Sequence, residues 1–407
     1  MIMKKYEYPL QQVIDDLEKK GTVKGHEMVI HQIEEGKNGY GPRYFIMEDE
    51  NKPFIRMNSN SYLGLSRHPK VIEAEEEAAR IFGSGPGAVR FISGTFKHHI
   101  SLENRIAQFH RKQAAMLFSS AYVTSMGVIY PLITPETIVI SDELNHNCII
   151  NAIRLSRPAE KYIYRHNDMD DLHSKLKSSV GKGKRVLVVT DGIFSMRGDY
   201  APLHELVSLC HTYNDYFEEG VISIMDDSHG VGAFGDTGRG TEEYTKSRVD
   251  ILIGTLGKAF GVNGGYVAGD KTLIRYLRET APMYIYSNPI TVPEAAAAET
   301  ALNIVDSPEG KKILKHLGEL TRRFESGLTG AGYETIPGPH PIVPLMVRNT
   351  GKTGRLTRWL HQEGVLATGL NFPVVPKGDE EIRFQISAEH TEKDIEAVLS
   401  VLAKFES

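Results

Sequence analysis

The stretch Val249-Asp250-Ile251-Leu252-Ile253-Gly254-Thr255-Leu256-Gly257-Lys258-Ala259-Phe260-Gly261 decides the reading of this chain. Its first half holds an apolar run, Ile251-Leu252-Ile253, of strand length; its second half is a glycine-framed turn that carries Lys258. A lysine taken alone is most often a solvated surface charge, because burying an ammonium is costly. Here the apolar run bounded by turn signals reads as a buried strand, and open α/β sheets bind ligands at the carboxyl ends of such strands. Lys258 is therefore expected at the mouth of a site.

Upstream, a second apolar run, Gly220 to Met225, ends in Asp226-Asp227-Ser228-His229. Two strand ends thus deliver an amine, a carboxylate and an imidazole. That set suits an aldehyde cofactor with a pyridine ring, pyridoxal 5′-phosphate. The amine can join the aldehyde, a carboxylate can hold the ring nitrogen protonated so that the ring draws in electrons, and His229 can hydrogen-bond the phenolic oxygen. Successive strand side chains point to opposite faces, so only one of Asp226 and Asp227 faces the ring, and the local pattern does not choose between them.

Other run ends complete the picture. Phe118-Ser119-Ser120-Ala121-Tyr122 precedes a helix-like stretch from Val123, and small residues at a helix N-terminus expose backbone N–H groups to a phosphate. Ser141-Asp142-Glu143-Leu144-Asn145-His146 offers His146 as a flat ring to stack on a planar group, and Asp191-Gly192-Ile193-Phe194-Ser195-Met196 offers Ser195. Arg383, in Ile382-Arg383-Phe384-Gln385, needs an anionic partner, which a substrate carboxylate or an internal ion pair can supply. Gly230-Val231-Gly232-Ala233-Phe234-Gly235 matches a dinucleotide pattern, but polar residues precede it and Asp236 to Gly240 continue as loop instead of opening a helix, which argues against a dinucleotide site.

At 407 residues the chain suits a large core plus smaller lobes. The net charge of −5, with Lys and Arg scattered, excludes a general nucleic-acid binder. Two cysteines, Cys148 and Cys210, are too few for a disulfide framework or a sulfur metal site, so no metal is expected. No stretch reaches the roughly eighteen apolar residues of a membrane span, and Met1 to Gly21 lacks a signal-peptide core; the expected location is the cytoplasm.

The rhythm of the chain predicts three parts. Residues 1–67 form an N-terminal arm, whose Leu10, Val13, Ile14 and Leu17 predict an amphipathic helix over Pro9 to Lys20 suited to packing on a neighbouring subunit. Residues 68–292 form the large cofactor-binding domain. Its strands are predicted at Ala115 to Phe118, Thr137 to Ile140, Lys161 to Tyr164, Val186 to Thr190, Val221 to Met225, Ile251 to Gly254 and Gly265 to Ala268. Short strands alternating with helices predict an α/β fold with a mostly parallel, doubly wound sheet. Residues 293–407 hold a connecting helix and a small C-terminal α+β domain, with strands at Ile342 to Val347, Val365 to Thr368 and Ile382 to Ile386 and a helix from Glu392 to Phe405 capped by Thr391.

Taken together, Asn60-Ser61-Tyr62-Leu63-Gly64-Leu65, Ser141 to His146, Asp191 to Met196, Asp226 to Gly230, Thr255 to Lys258 and Ile382 to His390 make the chain resemble, over nearly its whole length, the α-oxoamine synthase family of fold-type I pyridoxal-phosphate enzymes. With Phe372-Pro373-Val374-Val375-Pro376-Lys377-Gly378 added, it is most similar to the glycine C-acetyltransferase (2-amino-3-ketobutyrate CoA ligase) branch.

The resemblance implies that Lys258 carries the cofactor, Asp226 meets the pyridinium nitrogen, His229 the phenolic oxygen, and His146 stacks on the ring. It implies that Ser120, Ala121, Tyr122 and Thr255 surround the phosphate, with Ser287 and Asn288 arriving from the second subunit of a homodimer. Ser195 would line the cofactor, and Asn60, His146 and Arg383 would hold the amino acid. The implied reaction joins an amino acid, glycine first, to an acyl thioester such as acetyl-CoA with release of CoA. Alternatives are a decarboxylating synthase of the 8-amino-7-oxononanoate or serine palmitoyl type, an aminotransferase or aldolase on the same fold, and an inactive scaffold subunit, although the last should have lost its lysine. The loop Gly83-Ser84-Gly85-Pro86-Gly87-Ala88-Val89-Arg90 departs from the branch pattern, and Ala88 to His110 also resembles synthases that use polyketide carrier proteins, so an acyl carrier protein is the alternative donor to CoA.

Overall fold

A computed structural model describes residues 4–20, 23, 27–372 and 374–405. Pro373, part of the motif that pointed to the glycine C-acetyltransferase branch, lies outside them. Among the described residues, seven strands form the main sheet, in the spatial order Ala114–Phe118, Gly265–Gly269, Ile251–Thr255, Val221–Asp226, Arg185–Asp191, Thr137–Asp142 and Glu160–Tyr164. The Gly265–Gly269 strand runs antiparallel to both neighbours and the rest run parallel. The expected α/β architecture and all seven expected strands are present, most extended by a residue or two.

Alternation along the strands explains why helices cover both faces. Ile251 and Ile253 join a cluster with Val139, Val189 and Ile224 beneath the helices Ala121–Leu132 and Asn147–Leu155. Leu252 points the other way, with Val188 and Met225, toward the helices Met169–Ser179 and Leu203–Tyr213. Ile251, Leu252 and Ile253 are fully buried, each contributing about 1.5–3 kcal/mol. Because every parallel strand ends on the same rim, Phe118, Asp142, Asp191, Asp226 and Thr255 are delivered to one edge of the sheet.

The C-terminal sheet is antiparallel, in the order Glu334–Thr335, Ile342–Met346, Glu381–Gln385, Thr368–Leu370. The strand expected over Val365 to Thr368 is divided. Val365–Leu366 pairs in parallel with Ile55–Arg56, while Thr368–Leu370 pairs with Glu381–Gln385. Met57 joins the two, donating its N–H to the Leu366 carbonyl and accepting from Gln385 N–H. The last helix is Glu392–Ala403, with Thr391 and Asp394 forming a capping box. The N-terminal helix is Glu7–Lys19; it buries none of its residues against this chain, and Leu10, Val13 and Ile14 are exposed.

Candidate active site

The strand register settles which aspartate faces the site. Asp191 and Asp226 are direct partners on adjacent parallel strands, and Asp226 pairs in turn with Ile253. Asp226 lies on the same face as Ile224, toward the helix Ala121–Leu132, and takes hydrogen bonds from Ser125 Oγ (2.7 Å), Ser228 N–H (3.1 Å) and Ser228 Oγ (2.5 Å). It forms part of the wall of a cavity of about 190 Å³ that also holds Ala121, Tyr122, His146, Asp191, Ser195, His229 and Lys258.

Asp227 points away. Its carboxyl accepts from Thr241 N–H and Oγ1, both at 2.7 Å, and fastens the loop that follows the strand. Gly240 passes so close, at φ +84°, that a Cβ there would sit 2.0 Å from Asp227 Oδ2. Burial raises the Asp227 carboxyl to about 8, so at neutral pH it holds the loop as a neutral acid. The Gly230–Gly235 segment is therefore a loop wound around Asp227, with no helix opening at its end, as expected.

Lys258 sits one turn past the Ile251–Thr255 strand. Burial lowers its amine to about 8, against the opposing pull of Asp226 and Asp191. This creates a substantial neutral-amine fraction near physiological pH, the form that attacks carbonyl carbon. Burial, then the nearby Lys258, hold His229 well below the usual imidazole range. Tyr62 Oη lies 2.7 Å from His229 Nδ1, and His340 Nε2–H donates to the His229 carbonyl at 2.8 Å. Tyr62 Oη also donates to Asn60 Oδ1 at 3.4 Å. Asp191 is held well above the carboxylate range by burial and by the Asp226 charge beside it, and it accepts the His146 N–H at 3.0 Å.

At the far end of the cavity, Ser120 caps the helix Ala121–Leu132 by accepting from Val123 N–H. The N–H groups of Ala121 and Tyr122 are left without acceptors among the described residues, at the positive end of the helix dipole. Only glycine fits at 265, where a Cβ would come within 2.5 Å of Ala121 N. Ser120 and Thr255 stand behind the wall, Thr255 Oγ1 donating to the Gly264 carbonyl and accepting from Gly257 N–H.

His146 caps the next helix, its Nδ1 accepting from Cys148 N–H, and burial lowers its pKa. From the C-terminal domain, Arg383 Nη1 donates to the Ser195 carbonyl (3.0 Å), and Gln385 Nε2 donates to Asn60 Oδ1 (2.7 Å). Ser287 and Asn288 do not enter this chain's cavity; they occupy a surface turn after the short helix Pro282–Ile285.

The residues present fit pyridoxal phosphate. Two unspent N–H groups at a helix N-terminus suit a phosphate, a carboxylate ringed by hydroxyl donors suits a pyridinium, and a buried amine suits an aldehyde. Sequence reading did not single out Ser125, Ser228, Asp191, Tyr62 and His340 as site residues. Ser125 was detectable as the residue one helical turn after Ala121, and Asp191 as the last residue of its strand; Tyr62 and His340 become neighbours of His229 only through tertiary packing.

Comparisons agree with this geometry. The family model for aminotransferase class I and II matches residues 52–402. The 8-amino-7-oxononanoate synthase of Bacillus pumilus is 41% identical over 351 residues, 86% of this chain and 87% of that protein. The mitochondrial 2-amino-3-ketobutyrate coenzyme A ligase of Homo sapiens is 42% identical over 341 residues, 83% of this chain and 79% of that protein. A solved serine palmitoyltransferase from S. paucimobilis with bound PLP-myriocin aldimine superimposes with a TM-score of 0.86 at 26% identity, covering 97% of this chain and 96% of the other. With identities of this order over more than four-fifths of its length, the chain belongs to the aminotransferase class I and II family and, within it, to the pyridoxal-phosphate-dependent α-oxoamine synthases of fold type I.

Proposed function

We propose that this protein condenses a small amino acid, glycine first, with a short acyl-CoA, forming a carbon–carbon bond at the amino acid's α-carbon and breaking the thioester C–S bond to release CoA. The observation that carries this reading is the meeting of Lys258, Asp226 and His229 in one cavity, with Arg383 reaching its Ser195 edge from the other domain. Pyridoxal phosphate, when bound, supplies an aldehyde for amines and a protonated ring that withdraws electrons from the α-carbon. Ala121 and Tyr122 N–H hold its phosphate, Asp226 keeps the proton on its ring nitrogen, His229 meets its phenolic oxygen, and His146 covers its face.

Arg383 binds the amino-acid carboxylate with Asn60 beside it, an arrangement suited to a charge-assisted fork. The Lys258 amine, with its pKa lowered by burial, takes the α-proton and returns one at the end of the cycle. Ser195, Ser120 and Thr255 shape the pocket, and Ser287 and Asn288 complete the phosphate site of the other subunit in a homodimer. Two buried free thiols, Cys148 and Cys210, support a reducing, cytoplasmic setting.

A second reading, a decarboxylating synthase, is favoured by the name of the Bacillus pumilus relative. Both relatives are named for amino keto acids, butyrate in one and nonanoate in the other, so the shared part is the amino-ketone unit and chain length varies. The deciding experiment titrates the holoenzyme with glycine, serine and alanine while following cofactor absorbance. Short and long acyl-CoAs and an acyl carrier protein thioester are then added, and thiol and carbon dioxide are measured. Thiol release with glycine and no carbon dioxide supports the first reading; equal yields of thiol and carbon dioxide support the second. No thiol with any donor eliminates both.

A further inference from the structure

The Glu381–Gln385 strand divides its side chains between two environments. Ile382 and Phe384 enter the hydrophobic core, while Glu381, Arg383 and Gln385 occupy the alternate face. Each of these three keeps an atom without a hydrogen-bond partner among the described residues: Glu381 Oε1, Arg383 Nε and Gln385 Oε1. Arg383 Nη1 donates to the carbonyl of Ser195, which lines the cofactor cavity, and Gln385 Nε2 donates to Asn60 Oδ1. Glu381, only 2% exposed, instead faces a second cavity of about 390 Å³. That cavity shares Ser195 with the first and is walled largely by apolar groups, among them Phe194, Met346 and Val375.

Same-face neighbours on a strand lie about 7 Å apart. A group meeting Glu381 therefore stands one such step from a carboxylate held by Arg383, beyond the reach of an acetyl methyl and within that of a longer chain. Arg383, whose Nε is unspent, is the cation nearest in sequence to Glu381 and is kept for the amino-acid carboxylate in the reading above; the other cations around Glu381 have anionic partners. Arg197 bonds Asp199, Arg348 bonds Glu334 and Asp379, and His166 bridges Asp142 and Asp199. Glu143 and Asp379 add negative charge to the wall. A carboxylate entering here loses its water and, among the described residues of the wall, meets cations already paired with Asp142, Asp199, Glu334 and Asp379.

We propose that the second cavity takes the acyl chain of the thioester, and that Glu381 is a specificity residue there, admitting uncharged chains and turning away chains that end in a carboxylate. The proposal rests on the condensation reading above. Burial raises Glu381 to about 8, so it changes from a neutral donor to an anion within the working pH range. Rejection of a terminal carboxylate therefore strengthens as pH rises.

The test compares hexanoyl-CoA with adipoyl-CoA, equal in length and different in terminal charge, by kcat/KM for thiol release from the holoenzyme with glycine. The wild type is expected to discriminate little at pH 7, where Glu381 is largely neutral, and to favour hexanoyl-CoA at least about tenfold at pH 9. His166 on the same wall is raised to about 9, against burial, by its hydrogen bonds to Asp142 and Asp199, so Glu381→Gln removes the part of the increase near pH 8 and leaves the part near pH 9; Glu381→Arg inverts the preference, and retained cofactor absorbance shows that each variant has folded. If Glu381→Arg fails to fold, Glu381→Gln and the pH series carry the test. Equal use of both donors by the wild type at pH 9, or a Glu381→Gln ratio that climbs through pH 8 as steeply as the wild type's, overturns the subsite. Turnover of acetyl-CoA alone overturns it too while leaving the condensation intact, whereas no thiol with any donor removes the condensation reading itself.

Discussion

On the side of the main sheet, Asp226 accepts three hydrogen bonds from serines, His229 is met by Tyr62, and Asp191 takes the His146 N–H. On the side of the C-terminal sheet, Glu381, Arg383 and Gln385 each keep a polar atom without a partner among the described residues. Apart from the Ala121 and Tyr122 N–H groups, the polar side chains of the first wall are fixed by one another, which suits a cofactor of constant shape. The second holds back bonding capacity, and leaving such groups unpaired costs about 1–3 kcal/mol each, a cost a ligand can recover on binding. Fixed polar groups favour one partner, and unspent ones favour turnover and selection.

Substitutions on the two walls should therefore fail differently. Lys258→Ala should lower thiol release by at least about 10⁴-fold, since amine attack and proton transfer are both lost; residual turnover above a few per cent would rule Lys258 out as the base. Asp226→Asn should lower kcat by about 10²–10³-fold with a smaller effect on the amino-acid KM, the pattern expected when a preorganised electrostatic contact is lost. Arg383→Gln should do the reverse, raising the amino-acid KM by about 10–100-fold, the range of one charge-assisted contact, while cofactor absorbance is retained. If Asp226→Asn shifted KM and Arg383→Gln shifted only kcat, the contrast between the walls would be wrong.

The smallest effect is expected at Asp227. Asp227→Asn should barely change kcat at pH 7, where the native carboxyl is already neutral, but it should alter the pH dependence of stability. An acid with its folded pKa raised binds more protons folded than unfolded between about 4 and 8, so its contribution is present at low pH and fades through that window. Thermal melts of wild type and variant should therefore draw together as pH rises from 5 to 8 if the asparagine is the less favourable partner for Thr241. Parallel melting curves across that range would show that Asp227 titrates normally.

Much of this arrangement was legible in the sequence. Ile251-Leu252-Ile253 followed by Gly257 and Lys258 announced a buried strand and its exit, and strand ends were sharp wherever an apolar run met an aspartate, as at Asp191 and Asp226. The local pattern did not choose between Asp226 and Asp227, and only the family resemblance pointed to Asp226, because the choice depends on which helix covers which face, here the one bearing Ser125. The division of Val365 to Leu370 into two strands was hidden for the same kind of reason: one partner, Ile55–Arg56, lies some three hundred residues upstream. Alternation in Glu381–Gln385 was visible in the letters, but only the packed molecule shows that Glu381 opens onto a separate cavity.

The buried acids have a consequence for the molecule as a whole. Asp191, Asp227 and Glu381 are all shifted upward, by burial first and, for Asp191, by the Asp226 carboxylate beside it. Near pH 7, folding therefore draws protons onto Asp227 and Glu381, each raised to about 8, while the buried histidines His110 and His340 are driven the other way. The native protein should migrate in an electric field as a less anionic particle than its formal net charge of −5 implies.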